Sequence, residues 1–412
     1  MMPALTGLRI TRSAFVTTAF LAVGVALGCA RDIEPPEVVN PLFVDPASRD
    51  FSQNPELLER LIASPHRYFR FVNIPFSQEV CRQFGHSIEG TPLFNLHGDA
   101  HIEQYAITDL GRGLTDFDDS STGPAVVDLL RFGVSLNLAC RGHECGSLEA
   151  IYDEFLRGYR AALEDPSEEA PEPRAVQRRR ADFKFDRTAY FEWIASVMEP
   201  MPEDEKEALA EAMRPYVEAM LEEDADRNSR YYEFVDVGYL RMGVGSALDL
   251  KYLVRVRGPS DEPLDDVVLE IKQVRELDEI ECISVSKGSD PFRVLLGQSR
   301  IAYEPYGHLG YIRLRGDTFW IHAWVENYKE VAIGESFESP EELGEVAYDI
   351  GVQLGRGHPN QIGAPLDLQL RREQMRILER DHDEIKQAVE DLTLLSLEGW
   401  QLFRHEAKQA AS

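Results

Sequence analysis

The spacing of apolar and polar residues divides the chain into a helical part and a strand-rich part. Asn54 with Pro55 is typical of a helix start, and so is Ser147 before an amphipathic stretch. Residues 166–180 are rich in Pro, Glu and Arg without apolar periodicity, which predicts a surface linker. Helical spacing of apolar residues predicts helices over 56–63, 125–139, 147–165, 182–230, 340–357 and about 367–407.

Apolar residues alternate with polar ones from residue 233 onward. Three such runs predict an antiparallel meander, and two later runs around Arg315-Gly316-Asp317 predict a hairpin. Pro291 follows the candidate cap residues Ser289 and Asp290 and predicts the start of a helix, which lies between the meander and the hairpin in the sequence. The predicted strands are 236–242, 248–257, 267–274, 309–315 and 318–325, and the predicted helix covers 292–303. Together these elements indicate an α+β fold.

The first thirty residues predict a targeting segment. Arg9 and Arg12 precede an uncharged run over 13–28, shorter than the ~20 apolar residues of a membrane-spanning helix. The run ends in Gly28-Cys29, which resembles a bacterial lipobox, so residues 1–29 are the predicted lipoprotein signal peptide and Cys29 the lipidation site. Alternatives are an ordinary cleaved signal, a misplaced start or a buried apolar segment. Residues 30–50 would form a tether, and the protein would be exported and membrane-anchored at the periplasmic face or cell surface.

Composition narrows the classes of function. The 412 residues include 72 acidic and 43 basic side chains, which gives a formal net charge of −29 at pH 7. Proteins that neutralise nucleic-acid phosphates need an excess of Lys and Arg, so no nucleic-acid partner is expected. With 43% hydrophobic residues the chain can bury a large core, in two or three units or in one two-lobed domain.

Besides Cys29, the chain has four cysteines: Cys81, Cys140, Cys145 and Cys282. Cys140 and Cys145 could pair across a short loop if the protein reaches an oxidising compartment. Four buried thiols are an equally good interpretation. The sequence has no Cys-x-x-Cys and no His-Glu-x-x-His, so its spacing predicts no zinc site.

The strongest chemical signal is His97-Gly98-Asp99-Ala100-His101. It follows an apolar run, and a second apolar run ends at Thr115-Asp116-Phe117-Asp118. Phosphotransferases of the aminoglycoside and choline kinase type are built in this order, with one Asp near the attacking hydroxyl and another holding Mg²⁺ on the phosphates. The order assigns Asp99 and His101 to catalysis, and Asp116 and Asp118 to the metal.

A second group of candidates lies in the meander. Gly243-Val244-Gly245-Ser246 occupies a predicted hairpin tip, and Lys272 lies near the end of the following strand. Glycines at a hairpin tip let backbone N–H groups approach phosphates, and a strand lysine can reach the α- and β-phosphates. Gly243, Gly245, Ser246 and Lys272 are therefore the predicted nucleotide-binding residues. Taken alone, 243–246 is more simply an ordinary glycine-rich hairpin.

These motifs resemble the bacterial family catalogued as domain of unknown function 2252, which is distantly similar to protein-kinase-like phosphotransferases. The matching motifs are Gly98-Asp99-Ala100-His101, Thr115-Asp116-Phe117-Asp118, Gly123-Pro124, Asp128-Leu129-Leu130-Arg131, 243–246, Lys272, 293–298 and 354–358. The resemblance covers roughly residues 60–360 and implies a two-lobed protein-kinase-like fold with extra helices. The catalytic and metal motifs precede the glycine hairpin, so the motif order would be circularly permuted relative to a kinase.

The predicted organisation places the catalytic and metal motifs in 51–140, a helical insertion in 141–232, the glycine and lysine sheet lobe in 233–330 and C-terminal helices in 331–412. The predicted function is nucleotide- and Mg²⁺-dependent phosphoryl transfer from ATP or another nucleotide to an unknown small-molecule or protein acceptor. The alternative is a non-catalytic kinase-like binding module on an exported lipoprotein. An unrelated structural lipoprotein of the cell surface is a third hypothesis.

Two departures from the family pattern favour the binding module. The resemblance assigns Gln104 to the second metal ion, but the family has Asn at that position, and the predicted helix 292–303 contains no acid to pair with Lys272. An exported protein would also not be expected to meet ATP at a useful concentration.

Single residues carry further expectations. Asp128 is expected to orient the catalytic loop through hydrogen bonds, and the alternative to a role in the site for Asp118 and Asp119 is that both are solvated. Convergence of carboxylates predicts that Asp116→Asn relieves like-charge repulsion and raises the stability of the metal-free protein. The aromatic residues Tyr311, Trp320 and Trp324 are expected in the core.

Overall fold

The structure, a computed structural model, describes residues 40–410 apart from 53, 89, 224–229, 243–247 and 286–287. Cys29 and the signal peptide, residues 30–39 of the tether, and the hairpin residues Gly243, Gly245 and Ser246 therefore lie outside the described residues. In the described ranges, no helix has the length and hydrophobicity that a membrane span requires.

Helices account for most of the regular structure, and the residue patterns that begin them are visible in the sequence. The Asn54 side chain accepts a hydrogen bond from the Leu57 N–H at 3.1 Å, and Ser147 caps the amphipathic helix in the same way. The helices are α1 Pro55–Ala63, α2 Pro65–Phe71, α3 Asn73–Ile88, α4 Val126–Ala139, α5 Leu148–Glu164, α6 Arg174–Ala181, α7 Arg187–Val197, α8 Glu203–Glu223, α9 Pro291–Ile301, α10 Ile333–Ser336, α11 Pro340–Gly357, α12 Leu366–Arg380 and α13 His382–Ala410.

Three helix predictions were wrong in part. The predicted linker contains α6, whose arginines pair with acids of α11 instead of burying an apolar stripe; Arg178 lies 2.7 Å from Glu342. The predicted helix over 367–407 is interrupted at Asp381, which separates α12 from α13. The predicted helical stretch 182–230 contains a short strand between α7 and α8.

The strands form three antiparallel groups. The meander and the later hairpin are confirmed and join one six-stranded sheet, in the order β5-β6-β7-β8-β10-β9. Smaller groups are β11-β2-β3 and β1-β4. The strands are β1 Phe94–Leu96, β2 Tyr105–Thr108, β3 Arg112–Leu114, β4 Ser121–Gly123, β5 Met198–Glu199, β6 Phe234–Leu240, β7 Lys251–Val256, β8 Val267–Gln273, β9 Gly310–Leu314, β10 Asp317–Ala323 and β11 Tyr328–Glu330. The α+β class is confirmed.

The largest core surrounds α4, α5 and α11. Helix α4 is buried along most of its length, because apolar side chains occupy nearly all of its faces. Helices α5 and α11 approach closely: a Cβ at Gly351 would lie 2.1 Å from the Phe155 carbonyl oxygen. Only a glycine fits at that crossing. This packing fixes α4 directly behind the loop that follows β1.

Candidate active site

The loop His97-Gly98-Asp99 is fixed from behind by Asp128, in the first turn of α4. The Asp128 carboxylate accepts the His97 N–H at 2.7 Å and the Gly98 N–H at 2.9 Å. His358 Nε2 lies 3.2 Å from the same carboxylate. The expectation that Asp128 orients this loop is confirmed.

Gly98 is the position in the loop that tolerates no side chain. Its φ is +82°, and a Cβ there would lie 1.9 Å from the Asp119 carbonyl oxygen. The glycine therefore brings the Asp99 loop and the segment containing Asp119 into backbone contact.

Asp99 is buried and paired with a buried arginine. Arg131 Nε donates to Asp99 Oδ1 at 2.8 Å, and the guanidinium stacks 3.7 Å from the centroid of the Phe69 ring. Burial raises the pKa of Asp99 to about 7, although Arg131 opposes the shift. A carboxyl group that titrates near neutrality can accept a proton from a hydroxyl group.

The other two candidates of this segment lie deeper. His101 is fully buried, and its Nε2 lies 3.7 Å from Asp99 Oδ2. Burial and the nearby Arg70 hold the pKa of His101 well below its usual value, so the ring is neutral. Gln104 is also buried, and its backbone carbonyl accepts the Thr115 N–H at 3.0 Å. His101 thus lies behind Asp99, while Gln104 adjoins the segment that carries Asp116.

The Asp116 turn meets the central sheet at Lys272. Lys272 Nζ, at the end of β8, lies 2.7 Å from Asp116 Oδ1 and 2.5 Å from Asp118 Oδ2. Asp116 has a φ of +60°, a left-handed conformation that Asp tolerates better than most residues. Trp320 Nε1 on β10 donates to Asp118 at 2.8 Å. The structure therefore brings together three segments that lie far apart in sequence, those of Asp116 and Asp118, of Lys272 and of Trp320.

The two carboxylates have opposite electrostatic environments. Burial penalises both, but at Asp116 the Lys272 and Arg275 charges together with hydrogen bonds from Lys272 and Asp118 outweigh it and hold the pKa of Asp116 well below its usual value. At Asp118, burial and the Asp116 charge raise the pKa well above the usual range. One proton can therefore reside on Asp118 while Asp116 stays ionised.

A second lysine lies beside Lys272. Lys251 on β7 is the cross-strand neighbour of Lys272, and its ammonium donates to the carbonyl of Met242. Burial and the neighbouring Lys272 charge lower the pKa of Lys251. Two buried lysines thus lie side by side on β7 and β8.

The alternative that Asp118 and Asp119 are solvated is wrong. Both are buried, with 6% and 4% of their surface exposed. Arg275 donates to Asp119 at 3.0 Å, and Asn73 donates to Asp119 at 2.9 Å. Because these partners come from a distant loop and from α3, no local pattern in the sequence signals the pairing.

The aromatic residues divide between core and surface. Trp320 is buried, as expected, and stacks on His322, which in turn contacts Glu270 at 2.9 Å. Trp324 is half-buried and packs on Trp193. Tyr311 is 39% exposed, so its assignment to the core was wrong.

The donor set of the site suits a metal held jointly with a ligand. Among the described residues, no group of three or more His, Cys, Asp or Glu is arranged to hold a metal ion. Asp116 and Asp118 nevertheless converge on one cation, the Lys272 ammonium. Two convergent carboxylates match the way Mg²⁺ is bound with substrate phosphates rather than in an all-protein cage.

The cysteines are paired. A disulfide joins Cys140 to Cys145, one of the two interpretations that the sequence left open, and a second joins Cys81 to Cys282. The second bond spans a sequence separation of 201 residues. It links α3 to the loop that follows Arg275, and spacing alone could not have predicted it.

A family model described as an uncharacterized protein conserved in bacteria (DUF2252) matches residues 52–201 and 174–405. The matches cover well over half of the chain. This protein belongs to the DUF2252 family. No curated protein and no solved structure matches the chain significantly. Within this DUF2252 chain, the matched ranges include Asp99, Asp116 and Lys272.

Proposed function

We propose that the cleft between Lys272 and the two Asp motifs binds a nucleotide, and that the protein is a phosphotransferase. The contact of Lys272 with both Asp116 and Asp118 carries this proposal. In protein kinases a strand lysine contacts the phosphates, and a nearby Asp binds the metal that bridges them. The acceptor would be a small molecule or a protein.

The strand order supports a kinase-like arrangement. In protein kinases, a glycine-rich loop covers the phosphates and the lysine lies on the third strand. Here β6 and β7 flank the glycine segment, and the next strand, β8, carries Lys272. Helix α9 and the β9–β10 hairpin follow, whereas the Asp99 and Asp116 motifs come first in the chain. A circularly permuted kinase-like protein would have its elements in this order.

Asp116 and Asp118 would hold Mg²⁺, and Lys272 would contact the phosphates. The ion would neutralise phosphate charge during transfer. Lys272 now balances both carboxylates, so a nucleotide that draws it away leaves two uncompensated acids beside the phosphates. Binding should therefore depend strongly on a divalent cation.

Asp99 would accept the proton of the acceptor hydroxyl or position that group. Its pKa of about 7 fits the role, and Arg131 fixes its orientation. His101 would act through Asp99, because its ring has no exposed surface.

A non-catalytic binding module is the second candidate. Helix α9 contains no acidic residue, and Gln104 stands where the family has Asn. An active kinase uses an Asn to hold the second metal ion and a helix Glu to pair with the strand lysine, and this chain has neither residue at those positions.

We also propose that the protein is exported and attached to the membrane through a lipid on Cys29. The two disulfides support export, because such bonds persist in oxidising compartments. Intact-mass analysis of the membrane fraction tests this proposal. A soluble chain that begins at Met1 would contradict it and would remove the objection that ATP is scarce.

Thermal unfolding of the full chain with ATP, GTP or ADP, each with Mg²⁺ or with EDTA, tests nucleotide binding. Saturation at about 100 times Kd would stabilise the protein by about 2.7 kcal/mol. Lys272→Met and Asp116→Asn should abolish the Mg²⁺-dependent shift. Lys329→Met, an exposed lysine on β11, is the matched control and should preserve it. If no nucleotide changes the Tm of the wild type, the proposal fails.

Phosphate release separates the enzyme from the binding module. An enzyme should release phosphate with Mg²⁺ and ATP, and Asp99→Asn should lose that activity while keeping the nucleotide-dependent shift. Binding without phosphate release or transfer in the wild type would favour the module.

A further inference from the structure

A large cavity among the described residues is lined by residues outside the Asp116 site. It has a volume of about 690 Å³ and opens where the ends of α9 and α11 meet the segment between α5 and α6. Asp99, Asp116 and Lys272 do not line it. Cavities of 300–1,000 Å³ are typical of small-molecule sites.

The wall of this cavity is rich in arginine. Five of its 21 lining residues are arginines, whereas Lys and Arg together make up 43 of the 412 residues of the chain. They are Arg112, Arg180, Arg300, Arg356 and Arg371, and we call the cavity the arginine pocket. In a chain with a net charge of −29, this is a marked local excess of cations.

Three of the five arginines are neutralised by carboxylates. Arg112 lies 2.7 Å from Asp349, Arg371 lies 2.8 Å from Asp367, and Arg180 contacts Glu172. These ion pairs shape the wall and leave little charge for a ligand.

Arg300 and Arg356 differ from the other three. Arg300 donates to two neutral acceptors, Asn95 Oδ1 at 2.7 Å and Gln361 Oε1 at 3.2 Å. The Arg356 guanidinium lies 5.8 Å from the centroid of the Tyr303 ring. Neither has a carboxylate within ion-pair distance among the described residues, and both are half-buried. Two guanidinium groups in one cavity thus carry a positive charge that no ion pair with a described residue neutralises.

A structural role explains only part of this arrangement. Arg300 and Arg356 lie in the last turns of α9 and α11, where a cation interacts favourably with the helix dipole. That role requires neither a cavity nor the convergence of two helix ends on it. A planar guanidinium fork binds carboxylate and phosphate oxygens with two hydrogen bonds.

We propose that the arginine pocket binds a small organic anion that carries at least two phosphate or carboxylate groups, with Arg300 and Arg356 as its main contacts. The size of the cavity and the negative field of the whole chain favour a small ligand over a polymer. The acids Glu169 and Glu304 also line the cavity, both exposed, and would oppose binding. This site is independent of the proposed nucleotide cleft.

Calorimetric titration of the full chain at low ionic strength tests the proposal, with pyrophosphate and citrate as probes and glucose as the uncharged control. We expect at least one anion to bind, and the tighter one identifies the preferred acid group. Arg300→Gln and Arg356→Gln should each weaken binding by about tenfold or more, the loss expected for a charged hydrogen bond. Arg376→Gln, an exposed arginine outside the pocket, should not change it.

Two further variants keep the test decisive if an arginine variant unfolds. Glu304→Gln removes an exposed opposing charge and should tighten anion binding severalfold. Asp116→Asn should leave anion binding unchanged, even if it abolishes nucleotide binding. The proposal is overturned if neither anion binds, if both arginine variants bind like the wild type, or if Asp116→Asn abolishes anion binding.

Discussion

Asp116→Asn and Asp118→Asn should have different effects on stability, although the two residues lie two positions apart. Like-charge repulsion alone predicts that removing either carboxylate stabilises the metal-free protein. The structure changes that prediction for Asp116, because the Lys272 ammonium lies 2.7 Å away and holds the pKa of Asp116 low. Asp116 therefore stabilises the folded protein through its charge.

The expected magnitudes follow from the contacts. A hydrogen bond to a charged group contributes about 1.5–3 kcal/mol, and 33% exposure of the Asp116 side chain reduces this to about 1–2 kcal/mol. Asn tolerates the φ of +60° at this position, so Asp116→Asn adds no backbone strain. Asp118→Asn resembles the protonated form that burial already favours, so we expect a change below about 1 kcal/mol, or stabilisation.

The pH dependence has opposite signs for the two residues. The folded pKa of Asp116 is below the unfolded value of about 3.9, so its contribution is present above that pH and is lost as the pH falls through the folded pKa. The folded pKa of Asp118 is raised, so its ionisation reduces stability as the pH rises above about 3.9. The cost of Asp116→Asn should shrink in acid, and the benefit of Asp118→Asn should grow towards neutrality.

Urea denaturation at pH 7 and at about pH 3, below the unfolded pKa of Asp, measures both effects, with Asp317→Asn, an exposed carboxylate on β10, as the control. The midpoint for Asp116→Asn should fall at pH 7. If Asp116→Asn is as stable as the wild type at pH 7, or if Asp118→Asn is the more damaging variant, the assigned charge states are incorrect.

Two further predictions concern the Asp99 loop. Arg131→Met should lower the free energy of unfolding by about 3–5 kcal/mol, because it leaves Asp99 buried without its partner. Adding Asp99→Asn should restore much of that loss, and urea midpoints that show no recovery in the double variant would contradict the pairing. Gly98→Ala should cost more than Gly142→Ala, since both glycines have a φ of +82° but only Gly98 meets the Asp119 backbone; equal midpoints would exclude the proposed close contact.

Local patterns were sufficient for most of the secondary structure. The helix starts at Asn54 and Ser147 depend on side-chain caps, and the meander depends on apolar alternation, so a short window of sequence contains the necessary information. Helix α6 lacked such a pattern, because ion pairs with α11 hold it and those partners lie far along the chain.

Residues of the candidate site were predictable only where they belong to a recognisable sequence motif. The Asp99, Asp116 and Asp128 motifs were visible as short residue strings, and Arg131 lay within one of them, yet nothing local signalled its pairing with Asp99. Arg275 and the Cys81–Cys282 bond had no signal at all, since each joins segments more than 150 residues apart. Long-range pairing of this kind is set by packing of the whole fold.

The charge of the site differs from the charge of the chain. The net charge of −29 would repel a polyanion, yet buried or nearly buried cations lie at the two Asp motifs, and four of them form ion pairs there: Arg70, Arg131, Lys272 and Arg275. Each of these cations already contacts a carboxylate, so an incoming phosphate must compete with an acid for it. Mg²⁺ would remove that competition at Asp116 and Asp118 by taking the place of Lys272. Because these ion pairs stabilise the ligand-free protein, nucleotide binding at this site should require Mg²⁺. Metal dependence is therefore the property that best distinguishes the proposed nucleotide site from a simple cluster of charges.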